Sequence, residues 1–226
     1  MISSFFSKSK FNLDNIPPVV DLNLFKDQHF DGWYLKSHNY QDFSFCDDVF
    51  VEDEVNSIIK LGNLFQERQA EIGGGLSNGG VNKNIRDCQV SWITPNEHTV
   101  WIYERLTDVI NQANEEIFKF NLTKIQTLQF TKYNEINEEF YNKHTDSGPG
   151  LKPPEDRKLS IVVQLSDPSE YEGGDLCLYT GKDPLVIQKK KGRIVFFPSY
   201  MLHEVTPVTK GTRYTLVGWI VGPPFK

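Results

Sequence analysis

Hydrophobic positions repeat on two different periods along this 226-residue chain. From about Val51, the residues Val55, Ile58, Ile59, Leu64 and Phe65 recur three or four apart, with Leu61 off the stripe, and predict an amphipathic helix. The run Gly73–Gly80 (GGGLSNGG) then breaks the pattern. No Gly-Lys-Ser/Thr follows it and no apolar strand feeds it, so it predicts a mobile loop that could cover a site rather than a phosphate cradle. Thr94–Pro95–Asn96–Glu97 reads as a capping box with proline at the first helical position. Tyr103, Leu106, Ile110, Ala113 and Ile117 then form the stripe of a second helix. After Asn121 the period falls to two. Strands are expected over 125–133, 158–165, 174–180, 185–188, 192–197, 202–206 and 212–221, separated by turn signals such as Asp167–Pro168, Gly173–Gly174 and Gly211. The pattern predicts an α+β chain read as one domain. An irregular or edge-strand segment (1–45) comes first, then a mainly helical part (46–120), then a compact β part (121–226) of sandwich or barrel type.

Composition narrows the classes. Hydrophobic residues at 38% and aromatics at 13% are those of a globular chain, not a disordered one. The net charge of −6, from 24 basic and 30 acidic side chains, speaks against a nucleic-acid partner, which needs a basic face. The dense basic run Lys189–Lys190–Lys191, followed by Gly192 and Arg193, is expected to be a solvated hairpin turn. No stretch of 18 apolar residues marks a membrane span, and the first residues do not read as a signal peptide. Cys46, Cys88 and Cys177 are widely spaced without a CxxC, so no disulfide framework or zinc knuckle is indicated and a cytoplasmic location is expected.

The candidate chemistry rests on histidines. H-x-D occurs twice, as His29–Phe30–Asp31 and His144–Thr145–Asp146. The first lies in irregular sequence, with His38 its nearest further ligand, and reads as loop residues. The second follows a strand-like stretch. In an extended chain residues i and i+2 point the same way, so His144 and Asp146 can face one ion. His203, in the β part, supplies a third donor. Two imidazoles and one carboxylate on one side of a metal leave the other side open, the arrangement of non-haem Fe(II) oxygenases. A closed structural zinc site would need a fourth ligand, and no cysteine is near in sequence. Arg213 comes ten residues after His203. Brought into the same barrel, its planar fork would hold the far carboxylate of a dicarboxylic acid; the alternative is a surface arginine on a strand. Thr215 shares its face of the strand and could reach the same ligand.

These residues belong to an ordered set. Tyr133, Tyr141–Asn142–Lys143–His144–Thr145–Asp146, Leu159–Ser160, Tyr171–Glu172–Gly173–Gly174–Asp175–Leu176, Gly192–Arg193–Ile194–Val195–Phe196–Phe197–Pro198–Ser199, His203–Glu204–Val205–Thr206–Pro207–Val208 and Gly211–Thr212–Arg213–Tyr214 follow one another. The set resembles the Fe(II)/2-oxoglutarate-dependent dioxygenases, in their prolyl-4-hydroxylase-like, PKHD-type branch. The resemblance covers about residues 125–221 and, more loosely, the helical part from Phe45. It implies a double-stranded β-helix (jelly-roll) core with the N-terminal helices packed on one sheet. It implies Fe(II) held by His144, Asp146 and His203, with 2-oxoglutarate and O2 as co-substrates. Arg213 would hold the distal carboxylate of 2-oxoglutarate, Tyr133 would lie beside it, and Tyr141 would line the substrate opening; for both tyrosines an ordinary core role stays open. Two departures bear on the substrate. Residues 134–140 (NEINEEF) lack the glycine many relatives carry, and Ile161–Val162–Val163 stands where a tyrosine often faces the co-substrate.

The reaction implied is hydroxylation of an unactivated C–H, with peptidyl proline the first choice of substrate and another residue or a small metabolite the alternative. The Gly73–Gly80 loop and Ser147–Arg157 are expected to recognise it. A jelly-roll binding module with an idle or structural ion is the rival from another class. A zinc hydrolase would need a base, and Glu204, next to His203, should point to the opposite side of its strand.

Overall fold

The computed structural model describes residues 41–72, 80–147 and 155–225. His29, Asp31, His38, most of the glycine-rich run and the centre of Ser147–Arg157 lie outside the described residues.

Strand β1 (Ser44–Cys46) leads into α1 (Glu52–Leu64). Glu52, Asp53 and Glu54 fill its first turn, where the helix dipole favours negative charge, and Glu54 accepts a hydrogen bond from the Val51 amide at 2.9 Å. Val55, Ile58 and Gly62 are its buried positions. Leu64, expected on the stripe, is instead 81% exposed. Gly62 takes the contact with the sheet, because a Cβ there would sit 2.3 Å from the Phe130 ring. Gly62→Ala should therefore lower stability by about 1–3 kcal/mol, as overpacking does, while Gly181→Ala, which adds a methyl group into open space, should change it by less than about 0.5 kcal/mol. Urea midpoints of the two variants check this.

The second helix starts later than the sequence pattern predicts. Helix α2 spans Val100–Ala113, and a turn over Glu97–Thr99 precedes it, closed by the Thr99 and Val100 amides on the Asn96 carbonyl. Local bonds explain the difference: the Thr99 hydroxyl donates to the Thr94 carbonyl at 2.6 Å, and the Asn96 side chain accepts from the His98 amide at 2.8 Å. His98 is exposed in that turn, ahead of the helix. Ile102, Leu106 and Ile110 are the fully buried stripe, and Tyr103 is half-buried beside it. The Tyr103 hydroxyl donates to the Ile93 carbonyl and accepts from the Leu128 amide, tying α2 to the sheet below.

Four short strands precede or flank α2: β2 (Arg68–Gln69), β3 (Arg86–Asp87), β4 (Gln89–Ile93) and β5 (Lys124–Ile125). The C-terminal part adds β6 (Leu128–Asn134), β7 (Phe140–His144), β8 (Asp156–Gln164), β9 (Tyr171–Gly173), β10 (Leu176–Tyr179), β11 (Leu185–Val186), β12 (Ile194–Pro198), β13 (Leu202–Val205) and β14 (Val208–Gly222). They make two antiparallel sheets. The larger runs β1-β12-β8-β14-β6-β4-β2, with β5 and β9 also on β14; the smaller runs β11-β10-β13-β7-β3.

Strict alternation gives the larger sheet two working faces. Leu159, Ile161 and Val163 of β8, with Phe130, Phe196, Leu216 and Ile220, pack in one cluster with Val55, Ile58, Leu106 and Ile110 of the helices. The opposite face meets the smaller sheet. Val162, Val195 and Phe197 pack there on Leu176 and Leu178, and Val90 and Tyr133 pack on Val205. The space between the sheets is where the polar candidates gather.

The basic run does form a turn, with Gly192 at φ +82°, but it is not simply solvated. Arg193 grips Asp47 with two hydrogen bonds of 2.7 and 2.8 Å, Lys190 adds Asp47 at 3.0 Å, and Lys191 reaches Asn56 of α1 at 3.0 Å. The charges tie the segment before α1 to the β part, which apolar periodicity does not reveal. Among the described residues no helix is long and apolar enough to cross a membrane.

Candidate metal centre and active site

Strand pairing brings the two histidines together. His144 ends β7 and His203 lies on β13, directly opposite it in the antiparallel register. Asp146, two residues past His144, is held by its amide, which donates to the Ser199 carbonyl at 2.9 Å. One donor atom from each of His144, Asp146 and His203 lies within 4.8 Å of the others, and this is the one such group of three or more among the described residues. The His203 Nε2 is 3.5 Å from one Asp146 oxygen and the His144 Nε2 is 3.8 Å from the other.

The ring tautomers follow from the partners. His144 Nδ1 lies 2.7 Å from the Asn142 carbonyl oxygen, and His203 Nδ1 lies 2.9 Å from that of Met201. A carbonyl oxygen only accepts, so each Nδ1 carries a proton and each Nε2 is the nitrogen turned toward Asp146, the one free to ligate a metal. Burial and the neighbouring His203 hold the His144 pKa down at about 3, which keeps that imidazole neutral over the ordinary pH range. Burial works against the Asp146 carboxylate, but the polar edges it faces, including the hydrogen bond from the Ser160 hydroxyl, favour it, and its pKa is lowered on balance. Two imidazole nitrogens and one carboxylate, with no thiolate among them, suit Fe(II) or a similar borderline divalent ion. Tyr141 stacks on the His144 ring at 3.4 Å between centroids, and Phe197 lies 4.7 Å from the His203 ring, so aromatic walls fix both imidazoles.

Ser160 is a residue whose role sequence reasoning missed. Its hydroxyl donates to Asp146 at 2.7 Å and lies 2.9 Å from the Ser199 hydroxyl. Ser160→Ala should weaken metal affinity about 10–100-fold, as loss of an outer partner does, with the protein still folded. Competition titration against a chromogenic chelator measures it; an unchanged affinity would remove Ser160 from the site.

Arg213 lies across the same pocket on β14, opposite Tyr133 in register. It is 2% exposed, and among the described residues no carboxylate forms an ion pair with it. Its guanidinium carbon stands 5.4 Å from the centre of the Tyr133 ring. Gly174, at φ +61°, makes room for it, since a Cβ there would lie 2.8 Å from the Arg213 Cδ. A cation so buried needs an anion. Thr215 and Tyr133 also line the pocket, and burial raises the Tyr133 pKa so that its phenol stays a donor. Val162, within the Ile161–Val163 stretch that carries no tyrosine, contributes an apolar wall.

Residues 128–221 match the model of a family described as "2OG-Fe(II) oxygenase superfamily". A PKHD-type hydroxylase of Prochlorococcus marinus is 39% identical over 97 residues, covering 43% of this chain and 42% of the relative. Another, from Synechococcus sp., is 48% identical over 65 residues, covering 28% and 29%. The chain thus matches less than half the length of these curated relatives. Among solved structures, a Pseudomonas putida prolyl-4-hydroxylase superposes with a TM-score of 0.62 at 21% identity, over 79% of this chain and 91% of that one. A prolyl hydroxylase from Trichoplax adhaerens, in complex with a peptide fragment of the hypoxia inducible factor oxygen degradation domain, gives 0.59 at 18% identity, over 79% and 83%. At these identities the likeness is one of fold.

Around the pocket, further lining residues were not singled out from sequence. Trp219 lies on the face that carries Arg213, Thr215 and Val217, and counting onward by two along β14 would have found it. Gln129, two and four residues before Thr131 and Tyr133 on β6, follows from the same count. Arg86 does not: it sits in a two-residue strand with no period to read. Its guanidinium lies 4.5 Å over the Tyr141 ring and donates to Gln129 at 2.6 Å. Glu204 turns away from His203 and bonds the Tyr179 hydroxyl, so it is not placed as a base at the metal.

Proposed function

We propose that this chain is an Fe(II)- and 2-oxoglutarate-dependent oxygenase that hydroxylates an unactivated C–H, with a prolyl residue of a peptide or protein as its substrate. The two facing sheets are read as a double-stranded β-helix (jelly roll). The observation that carries the reading is one pocket holding two unlike sites: a donor set of His144, Asp146 and His203, and the buried, carboxylate-free Arg213. A dicarboxylate has the groups for both ends: its keto-acid end would go to the metal and its far carboxylate to the guanidinium fork. Iron, when bound, would activate O2 and couple decarboxylation of 2-oxoglutarate to transfer of one oxygen atom into the substrate.

The chain's own residues would do the positioning. Asn142 and Met201 carbonyls hold the two imidazoles in their ligating tautomer, and Ser160 and Ser199 hold Asp146. Tyr133 and Thr215 offer hydroxyls on the wall that carries Arg213, while Val162, Val205 and Val217 give the pocket apolar walls. Tyr141, at the Arg86 side of His144, lines the way in. A peptide substrate is favoured by the curated relatives named PKHD-type hydroxylases and by the neighbour solved with a peptide. The test is succinate formation by the Fe(II)-loaded protein over libraries of proline peptides, other peptides and small acids, with mass spectrometry locating the added oxygen atom. Proline peptides should drive turnover above the uncoupled rate. Turnover only with free metabolites would overturn the prolyl part, and 2-oxoglutarate binding without turnover on any class would overturn the enzymatic one.

A further inference from the structure

The inner face of the larger sheet continues past the metal pocket and ends on an exposed ring. On β4, Ser91 and Ile93 face the helices: the Ser91 hydroxyl donates to the Gly62 carbonyl at 2.8 Å, and Ile93 joins the helix-side core. Val90 packs with Tyr133 on the other side, so Trp92, two residues on, shares the pocket face. Trp92 pairs with Gln129, and Gln129 with Val217, both of which also line the pocket. Along this face Val90, Gln129 and Trp219 are 5%, 3% and 6% exposed, whereas Trp92 is 42% exposed. The Trp92 ring lies 6.3 Å from that of Trp219, tilted by 45°. The guanidinium of Arg157 lies 3.8 Å over Trp219, and its Nε is spent on Gln126 at 2.8 Å.

A lone exposed tryptophan would mean little. This one completes a continuous strip from the metal donors through Trp219 to the rim, flat and apolar at its outer end and with a guanidinium alongside. We propose that Trp92 is a second substrate subsite, stacking on a proline ring that flanks the target residue in a segment of polyproline II conformation. The chemistry matches. A pyrrolidine ring is a flat apolar surface, and a polyproline II segment loses little entropy on binding because it is already extended. Its carbonyls carry no internal hydrogen bonds and stay open to donors such as an arginine. The subsite rests on the prolyl reading of the function and adds a preference: proline beside the target, not only at it.

The experiment uses full-length protein loaded with Fe(II) and 2-oxoglutarate without oxygen, and isothermal titration with two peptides. One carries a single proline; the other carries that proline within a run of three. Wild type should bind the run about tenfold more tightly, the scale of one aromatic stacking contact. Trp92→Ala should bind the two peptides equally, and Trp92→Phe should keep most of the preference. The dissociation constant for 2-oxoglutarate reports that each variant is folded, and Trp92→Gln, which also removes the ring and should also lose the preference, decides the matter should the alanine variant fail that check. A preference that survives in Trp92→Ala would overturn the subsite and leave the prolyl reading intact. If wild type admits oxygen and then hydroxylates neither peptide, the prolyl reading fails and the subsite with it.

Discussion

Asp146→Ala is expected to abolish 2-oxoglutarate turnover by removing the one anionic donor of the metal site. Asp146 stands between two imidazoles at 3.5 and 3.8 Å, and without it only the two imidazole nitrogens remain as donors. The loss of metal affinity should exceed the roughly 10–100-fold that an outer partner costs. Metal content after dialysis and succinate release both report it. Circular dichroism separates this from unfolding, because Asp146 follows the end of β7 and contributes nothing to the hydrophobic clusters. Asp146→Asn keeps the shape but not the charge, and should fall between wild type and alanine in affinity. An alanine variant with full metal content and turnover would remove Asp146 from the site.

Arg213→Met should raise the KM for 2-oxoglutarate by about two orders of magnitude, the scale of truncating one partner of a buried charge pair at about 3 kcal/mol. The same change should leave the melting temperature of the co-substrate-free protein unchanged or raise it. The reason is that Arg213, 2% exposed and without a carboxylate partner among the described residues, carries an uncompensated desolvation cost in that state. Arg213→Lys should recover part of the affinity, since it keeps the charge and loses the planar fork. A simple structural arginine would show the opposite pair of results: a lower melting temperature and an unaltered KM.

How much of this was legible in the sequence depends on the period. Where alternation is long, as in β14 from Val208 to Gly222, position alone sets the face, and Arg213 and Thr215 fall on one side of it. His144 and Asp146 were read the same way, and the structure brings His203 to them through the β7–β13 register. Where elements are short, nothing repeats, and Arg86 in its two-residue strand left no signal. Local side-chain bonds also override pattern: Thr94–Pro95 looks like a helix start, yet the bond from the Thr99 hydroxyl to the Thr94 carbonyl makes a turn of it. Gly62 shows a third limit. A glycine on an apolar stripe reads as a weak spot, but here it lets a helix lie against the Phe130 ring. Trp92 could be placed on a strand, but its exposure depends on where the sheet ends.

The most direct measurement is an anaerobic optical titration of the metal-free protein with Fe(II) and then 2-oxoglutarate. A weak visible charge-transfer band should appear only when both are present, because it requires the keto acid to chelate an ion already held by His144, Asp146 and His203. No band at saturating co-substrate, with zinc retained in a closed four-ligand site, would contradict the account.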